Sequence, residues 1–243
     1  MREGGKILSD IMDEIAAQIF PGQNSLAIDE LAERLVFLNG GKPAFKGYGK
    51  TNPFPATVCV SLNHEVVHGI PEKKVLFKDG DLVKIDIGMT YKGMITDMAR
   101  TFAVGSVSSE KKKLMDTTEE CLNLGIKELQ AGAKLKNYSL AVQKHAEEAG
   151  FSVVRDLVGH GVGKKVHEDP YILNYYDKNF SDNELVLEEG MTLALEPMLS
   201  VGTSRVELGK NSWVYVTSDG KPSAHFEDTV LITKKGPEIL TRN

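Results

Sequence analysis

Apolar side chains recur at every fourth position, Ile7, Ile11, Ile15 and Ile19, and so fall on one stripe of a helix that Pro21 and Gly22 stop. The pattern predicts a second helix with Ser25 at its N-cap, Ile28, Leu31, Leu35 and Leu38 on its apolar face and Gly40-Gly41 at its end. Between residues 40 and 57 the period is lost. Gly and Pro mix there with Phe45, Tyr48 and Phe54, a composition that fits a packed loop better than a solvated linker. Near-alternating runs rich in Val, Ile and Thr then predict strands over 57–62, 82–89 and 94–104, with a turn at Asp79-Gly80-Asp81. After this the order repeats. Ser108 caps a long helix carrying Leu114, Cys121, Leu122, Ile126 and Leu129, and residues 138–149 form another. Strand patterns return over 151–158, 191–196, 213–217 and 224–233, the last two joined as a hairpin through Ser218-Asp219-Gly220.

Two stretches, about 1–105 and 106–243, thus share an order of two helices followed by hairpin strands, with little residue identity between them. This predicts one internally duplicated α+β domain, 1–243, whose sheet is covered by helices on one face. Sites in such folds fall between the halves. Composition narrows the class. An apolar content of 41% in 243 residues excludes disorder, and no apolar run approaches the ~18 residues of a membrane span. With 29 basic against 34 acidic residues, a net charge of -5 and no basic run longer than Lys111-Lys112-Lys113, nucleic acid is not the expected partner. Two cysteines, Cys59 and Cys121, make no disulfide framework, and the amino terminus lacks a signal-peptide core, so a cytoplasmic protein is expected. No long apolar stripe is left over once the helices are assigned to the sheet, which predicts a monomer.

Candidate chemistry lies in the strands. If the runs 82–89 and 94–102 form a hairpin looped at Tyr91-Lys92, positions summing to 183 face each other and Asp86 stands opposite Asp97. A loop at Lys92-Gly93 moves the pairing by two and keeps both acids on one face. Like charges about 4.5–5.5 Å apart repel, so a cation between them is expected. His160 sits in Gly159-His160-Gly161-Val162-Gly163. Glu196 ends the apolar run 192–195, and Glu227 stands among strand residues. Taken singly, each is explained as well by a loop histidine, a solvated acid or an arginine partner. Together they offer one imidazole and four carboxylates. A single divalent ion is over-neutralised by four negative charges, whereas two bring the sum to zero. An oxygen-rich set with one nitrogen suits Mn, Fe, Co or Zn.

These residues resemble the type I, bacterial-type methionine aminopeptidases. The resemblance rests on Asp86 and Asp97 eleven apart, His160 in its glycine run, His167 before Glu168-Asp169-Pro170, Glu196-Pro197-Met198 and Glu227. It extends to residues 58–63 with His68-Gly69-Ile70-Pro71, and spans the chain from the first helix onward. It implies a pita-bread fold: pseudo-two-fold halves and a curved antiparallel sheet covered by helices. It further implies two divalent ions, with Asp86 chelating one, Asp97 and Glu227 bridging both, and His160 and Glu196 on the other. Glu196 is then the proton shuttle, and His68 and His167 contact the scissile amide or the oxyanion. The family's methionine pocket maps onto Phe45, Tyr48, Phe54, Cys59 and Trp213, together with the two histidines; for Trp213, core and pocket are equal readings. The segment between Glu196 and Glu227 is too short for the helical insertion of type II enzymes.

The activity so implied is removal of initiator methionine when the second residue is small. Its substrates are peptide or nascent-chain N-termini beginning with Met, its candidate partner is the ribosome, and no membrane is involved. Val166, Asp228 and the loop 47–52 depart from the family pattern, which puts the pocket's shape in question. His64 and His145 read as surface residues, and His225, two before Glu227, as one that orients a ligand. Two rivals share the fold. One is a prolidase or Xaa-Pro aminopeptidase, against which stands the lack of a separate domain before residues 1–20. The other is a non-catalytic binding protein, against which stands the full ligand set.

Overall fold

A computed structural model describes residues 1–243. Its helices are α1 (Arg2–Ala16), α2 (Ser25–Leu38), α3 (Ser109–Lys127) and α4 (Lys136–Glu148). No helix is long and apolar enough to cross a membrane. α1 buries Leu8, Ile11, Met12 and Ile15, a wider stripe than the isoleucine repeat, and it ends before Ile19 because i to i+3 bonds from Gln18 and Ile19 tighten the last turn. α2 is capped by Asn24, whose side chain accepts from Ala27 N, and not by Ser25, whose hydroxyl donates to the Glu72 carbonyl. Leu38, expected on the apolar face, is 74% exposed. Ser108 caps α3 as expected.

The main sheet has nine antiparallel strands. We number those that carry the site β1 (Val58–Leu62), β2 (Leu82–Tyr91), β3 (Met94–Ala103), β4 (Gly159–Gly161), β5 (Glu168–Ile172), β6 (Thr192–Leu195), β7 (Glu227–Thr233) and β8 (Gly236–Ile239). Their order across the sheet is β1-β2-β3-β7-β6-β4-β5, with β8 also on β7 and Lys42–Pro43 beside β2. Side chains alternate between two faces. Val83, Ile85, Ile87, Met89 and Met98 pack against α1 and α2 in one core. Leu193, Leu195, Val230 and Ile232 pack against α3 and α4 in another. The opposite parity, Asp86, Asp97, His160, Ala194 and Glu227, faces away from the helices.

One open pairing alternative is resolved and one expectation is corrected. The β2-β3 hairpin turns at Lys92-Gly93, both in the left-handed region (φ 50° and 79°), as a two-residue turn of this kind requires. Asp86 therefore pairs with Ala99 and Asp97 with Gly88, so the two acids are diagonal neighbours on one face. The hairpin expected through 218–220 does not form. Tyr215–Thr217 pairs with Val206–Leu208 and Glu65–Val67, whereas Ser223–His225 pairs with Met198–Ser200. Pro222 stands where a returning strand would donate its N–H, and the chain leaves for another sheet. The run 224–233 also breaks at Phe226, where it passes from that small sheet into β7. Of the strand expected over 151–158 only Ser152–Val153 forms.

Asp228, on the helix-facing side of β7, is fully buried and accepts from Arg100 (2.7 Å), Arg242 (2.7 Å) and the Thr241 hydroxyl (2.9 Å). It points away from the pocket, so this departure from the family pattern leaves the pocket's shape alone. Its carboxylate fastens the last residues of the chain to the sheet. Replacing it by alanine leaves two guanidinium groups without their partner, and Asp228→Ala should lower unfolding stability in urea by about 3–5 kcal/mol.

Candidate metal centre

Six elements deliver the polar groups. Asp86 comes from β2, Asp97 from β3, His160 from β4, Glu227 from the first residue of β7, and Glu196 from the residue after β6. His167 comes from the turn before β5. Asp97, Glu196 and Glu227 are also fixed through their backbones. The Thr229 hydroxyl accepts from Asp97 N and donates to Asp97 O, both at 2.8 Å. Arg100 donates to the Glu227 carbonyl at 2.5 Å, and the Asn174 amide donates to the Glu196 carbonyl at 3.0 Å. Tyr138 of α4 in turn donates to Asn174. No local sequence signal marks these clamps, because each joins residues tens of positions apart or more.

Gly159 and Gly161 flank His160 for a steric reason. A Cβ at either would lie within 2.5 Å of a carbonyl oxygen, that of Ala194 or of Asp169. His160 Nδ1 lies 2.9 Å from the Gly161 carbonyl, which requires the ring proton on Nδ1 and leaves the Nε2 lone pair facing the carboxylates. Burial holds its pKa down to about 4, so it is a neutral donor at pH 7.

Donor atoms of Asp97, His160 and Glu227 lie within 4.8 Å of one another, as do those of Glu196, His225 and Glu227. Glu227 belongs to both groups. Asp86 lines the same pocket but belongs to neither. One oxygen on each of Asp86, Asp97 and Glu227 is buried without any hydrogen-bond partner. Burial, then mutual repulsion, raises the pKa of Asp86, Glu196 and Glu227 well above the carboxylate range. Asp97 is raised to about 7, chiefly by burial. Orphaned, repelling carboxylate oxygens around a neutral imidazole are the donor set of a divalent cation, and the residues present fit one.

Phe45, Tyr48, Phe54, Cys59, Val166 and Trp213 wall the same pocket, with His68 and His167 at its polar side. All the pocket residues expected from the sequence thus converge, and Val166 joins them. Phe54 meets Trp213 edge to face at 5.2 Å. Trp213 lies in the bend before its strand, and of the two readings open for it the structure supports the pocket. Phe45 fits because Gly88, opposite Asp97, has no Cβ; one would lie 2.6 Å from its ring. Cys59 pairs with Asp86 across β1 and β2, and burial pushes its thiol pKa up, so it is an inert wall. The loop 47–52 brings the Tyr48 hydroxyl to 2.8 Å from His167 Nδ1. His68 takes a left-handed backbone (φ 59°) beside Tyr215 and Trp213, and burial lowers its pKa to about 4. His64 and His145 lie outside the pocket.

Residues 1–234 match metallopeptidase family M24. The chain belongs to this family. Methionine aminopeptidase 1 of Bacillus subtilis is 46% identical over 242 residues, covering 100% of this chain and 95% of its own length. A methionine aminopeptidase of Clostridium perfringens is 44% identical, with 99% and 94% covered. Among solved structures, a methionine aminopeptidase from Thermotoga maritima superposes with a TM-score of 0.95 at 42% identity, covering 100% of this chain and 95% of that one. A prolidase from Pyrococcus furiosus reaches 0.76 at 25% identity, with 62% of its length covered. The pita-bread fold is therefore that of the M24 enzymes, and the chain is a divalent-metal hydrolase.

Ion binding to this M24 site needs ionised carboxylates. Since Asp97 holds its proton below about pH 7, apparent affinity for Mn(II) or Co(II) should rise with pH up to that point, by about tenfold per unit for each proton displaced. Calorimetry at pH 6.5 in buffers of different ionisation enthalpy should detect the release of at least one proton per protein.

Proposed function

We infer that this protein is a metal-dependent methionyl aminopeptidase that hydrolyses the bond after an amino-terminal methionine. The observation that carries the reading is the junction of two surfaces: buried carboxylate donors on one side, and an apolar pocket of aromatic edges and a thiol on the other. Relatives named methionine aminopeptidase along the whole chain support it, whereas the prolidases are more distant and longer.

Asp86, Asp97, His160, Glu196 and Glu227 would hold two divalent ions, of Co, Mn, Fe or Zn. When bound, such ions act as Lewis acids on the scissile carbonyl and acidify the attacking water toward neutral pH. The remaining steps belong to side chains. Glu196, raised in pKa by burial and by its acidic neighbours, accepts the proton of the attacking water and returns it to the leaving amine nitrogen. With Tyr48 donating to Nδ1, a neutral His167 carries its proton on Nε2 and donates it as a hydrogen bond where negative charge develops on the carbonyl oxygen. His68, neutral and held by its backbone turn, contacts the scissile amide. Phe45, Phe54, Cys59 and Trp213 enclose the methionine side chain. Thioether contacts with aromatic edges contribute about 0.3–1.5 kcal/mol each, enough to favour methionine moderately over leucine.

The two halves, about 1–105 and 106–243, act as one catalytic domain with the ions between them. The protein works as a cytoplasmic monomer on initiator methionine in nascent chains, at or near the ribosome, when the next residue is small. Purified protein with Mn(II) or Co(II) should release methionine from Met-Ala-Ser and leave Xaa-Pro peptides intact; the reverse selectivity would assign it to the prolidase branch. Asp97→Asn should lower turnover by more than about 100-fold, beyond the loss typical of outer-sphere partners, with an unchanged circular dichroism spectrum.

A further inference from the structure

His225 is 1% exposed, and neither of its ring nitrogens has a hydrogen-bond partner. A buried imidazole left unpaired is costly, and its surroundings supply a reason. Nε2 points between two carboxylates, 3.6 Å from Glu196 Oε2 and 3.9 Å from Glu227 Oε2. The other oxygen of Glu196, Oε1, lies 3.5 Å from His160 Nε2. Glu196 is thus flanked by two imidazoles, one at each oxygen. The His225 backbone cannot drift: Thr101 Oγ1 accepts from its N–H at 3.0 Å and donates to its carbonyl at 2.7 Å, and Met198 pairs with it across the small sheet.

We propose that His225 is a positioning residue of the metal centre, whose Nε2–H holds the outer oxygens of Glu196 and Glu227 so that their inner oxygens face the ions. The proposal rests on the metallopeptidase reading above. A small rotation of either carboxylate brings an oxygen within hydrogen-bonding reach of Nε2. One donor then serves both glutamates, including the one shared by the two donor groups. Carboxylates that ligate metals are held in this way by outer partners, whose loss weakens binding about 10–100-fold.

The test compares wild type, His225→Leu and His225→Gln by titrating Co(II) into the ion-free proteins. Calorimetry gives affinity, the visible Co(II) bands report the coordination sphere, and urea unfolding reports the fold. His225→Leu should bind Co(II) about 10–100-fold more weakly, with the fold retained. His225→Gln, whose amide N–H replaces the donor, should stay within about threefold of wild type with unshifted bands. Should the leucine variant fail to fold, His225→Asn, too short to reach the glutamates, takes its place with the same expectation. Wild-type affinity in His225→Leu overturns the proposal. Equal weakening in the glutamine variant with shifted bands also overturns it, in favour of direct ligation by the imidazole. Wild-type protein that binds no Co(II) overturns the metal-centre reading itself.

Discussion

Repulsion among four carboxylates that the fold has removed from water is the constraint around which this molecule is organised. Isolated charges buried in protein are expensive, and a cluster of one sign is more so. Asp86, Asp97, Glu196 and Glu227 come from four separate strands or strand ends, so no local rearrangement relieves them singly. The sheet meets the strain by rigidity. Each strand uses its other face to pack on helices, and the backbones of Asp97, Glu196 and Glu227 are hydrogen-bonded by side chains from elsewhere in the chain. Donors held in this way are already spaced for a cation, so little ordering is left for the moment of binding.

Charge is also partitioned between the faces. Glu227 and Asp228 are adjacent and both buried, yet they face opposite sides of β7 and meet opposite fates. Asp228 is neutralised by Arg100 and Arg242 on the helix side, while Glu227 keeps an unpaired oxygen on the other. Arg100 does both jobs, pairing Asp228 with one nitrogen and holding the Glu227 carbonyl with another. The pocket side therefore receives no arginine that would compete with a metal for its carboxylates.

Much of this was legible in the sequence, for physical reasons. Period-two alternation through Leu82–Tyr91 and Met94–Ala103 put Asp86 and Asp97 on one face whichever hairpin loop was chosen, because shifting the loop by one residue moves the pairing by two. The glycines around His160 marked a close approach by backbone. Loop 40–57 reads as packed because Phe45, Tyr48 and Phe54 are set among its glycines and prolines. What escaped was long-range. Pro222 diverts the chain to another sheet after a sound turn signal, and no local rule says which strand accepts it. The cap of α2 moved one residue because Ser25 found a partner at Glu72. The site's neighbours Thr229, Asn174 and Tyr138 carry no motif, and their roles exist only once the strands are stacked. His225 was visible as a neighbour of Glu227, but its place between two glutamates depends on the sheet change at Phe226.

The carboxy-terminal segment has an effect out of proportion to its size. Thr241 and Arg242 reach Asp228, and Asn243 bonds to Asp10 of the first helix, so the tail bridges both ends of the chain on the side remote from the pocket. Thr241 and Arg242 supply two of the three side-chain partners of Asp228, which stands next to Glu227 on the same strand. The arrangement is that of a clasped bracelet: residues 241–243 close the catch on one face of the strand whose other face presents Glu227.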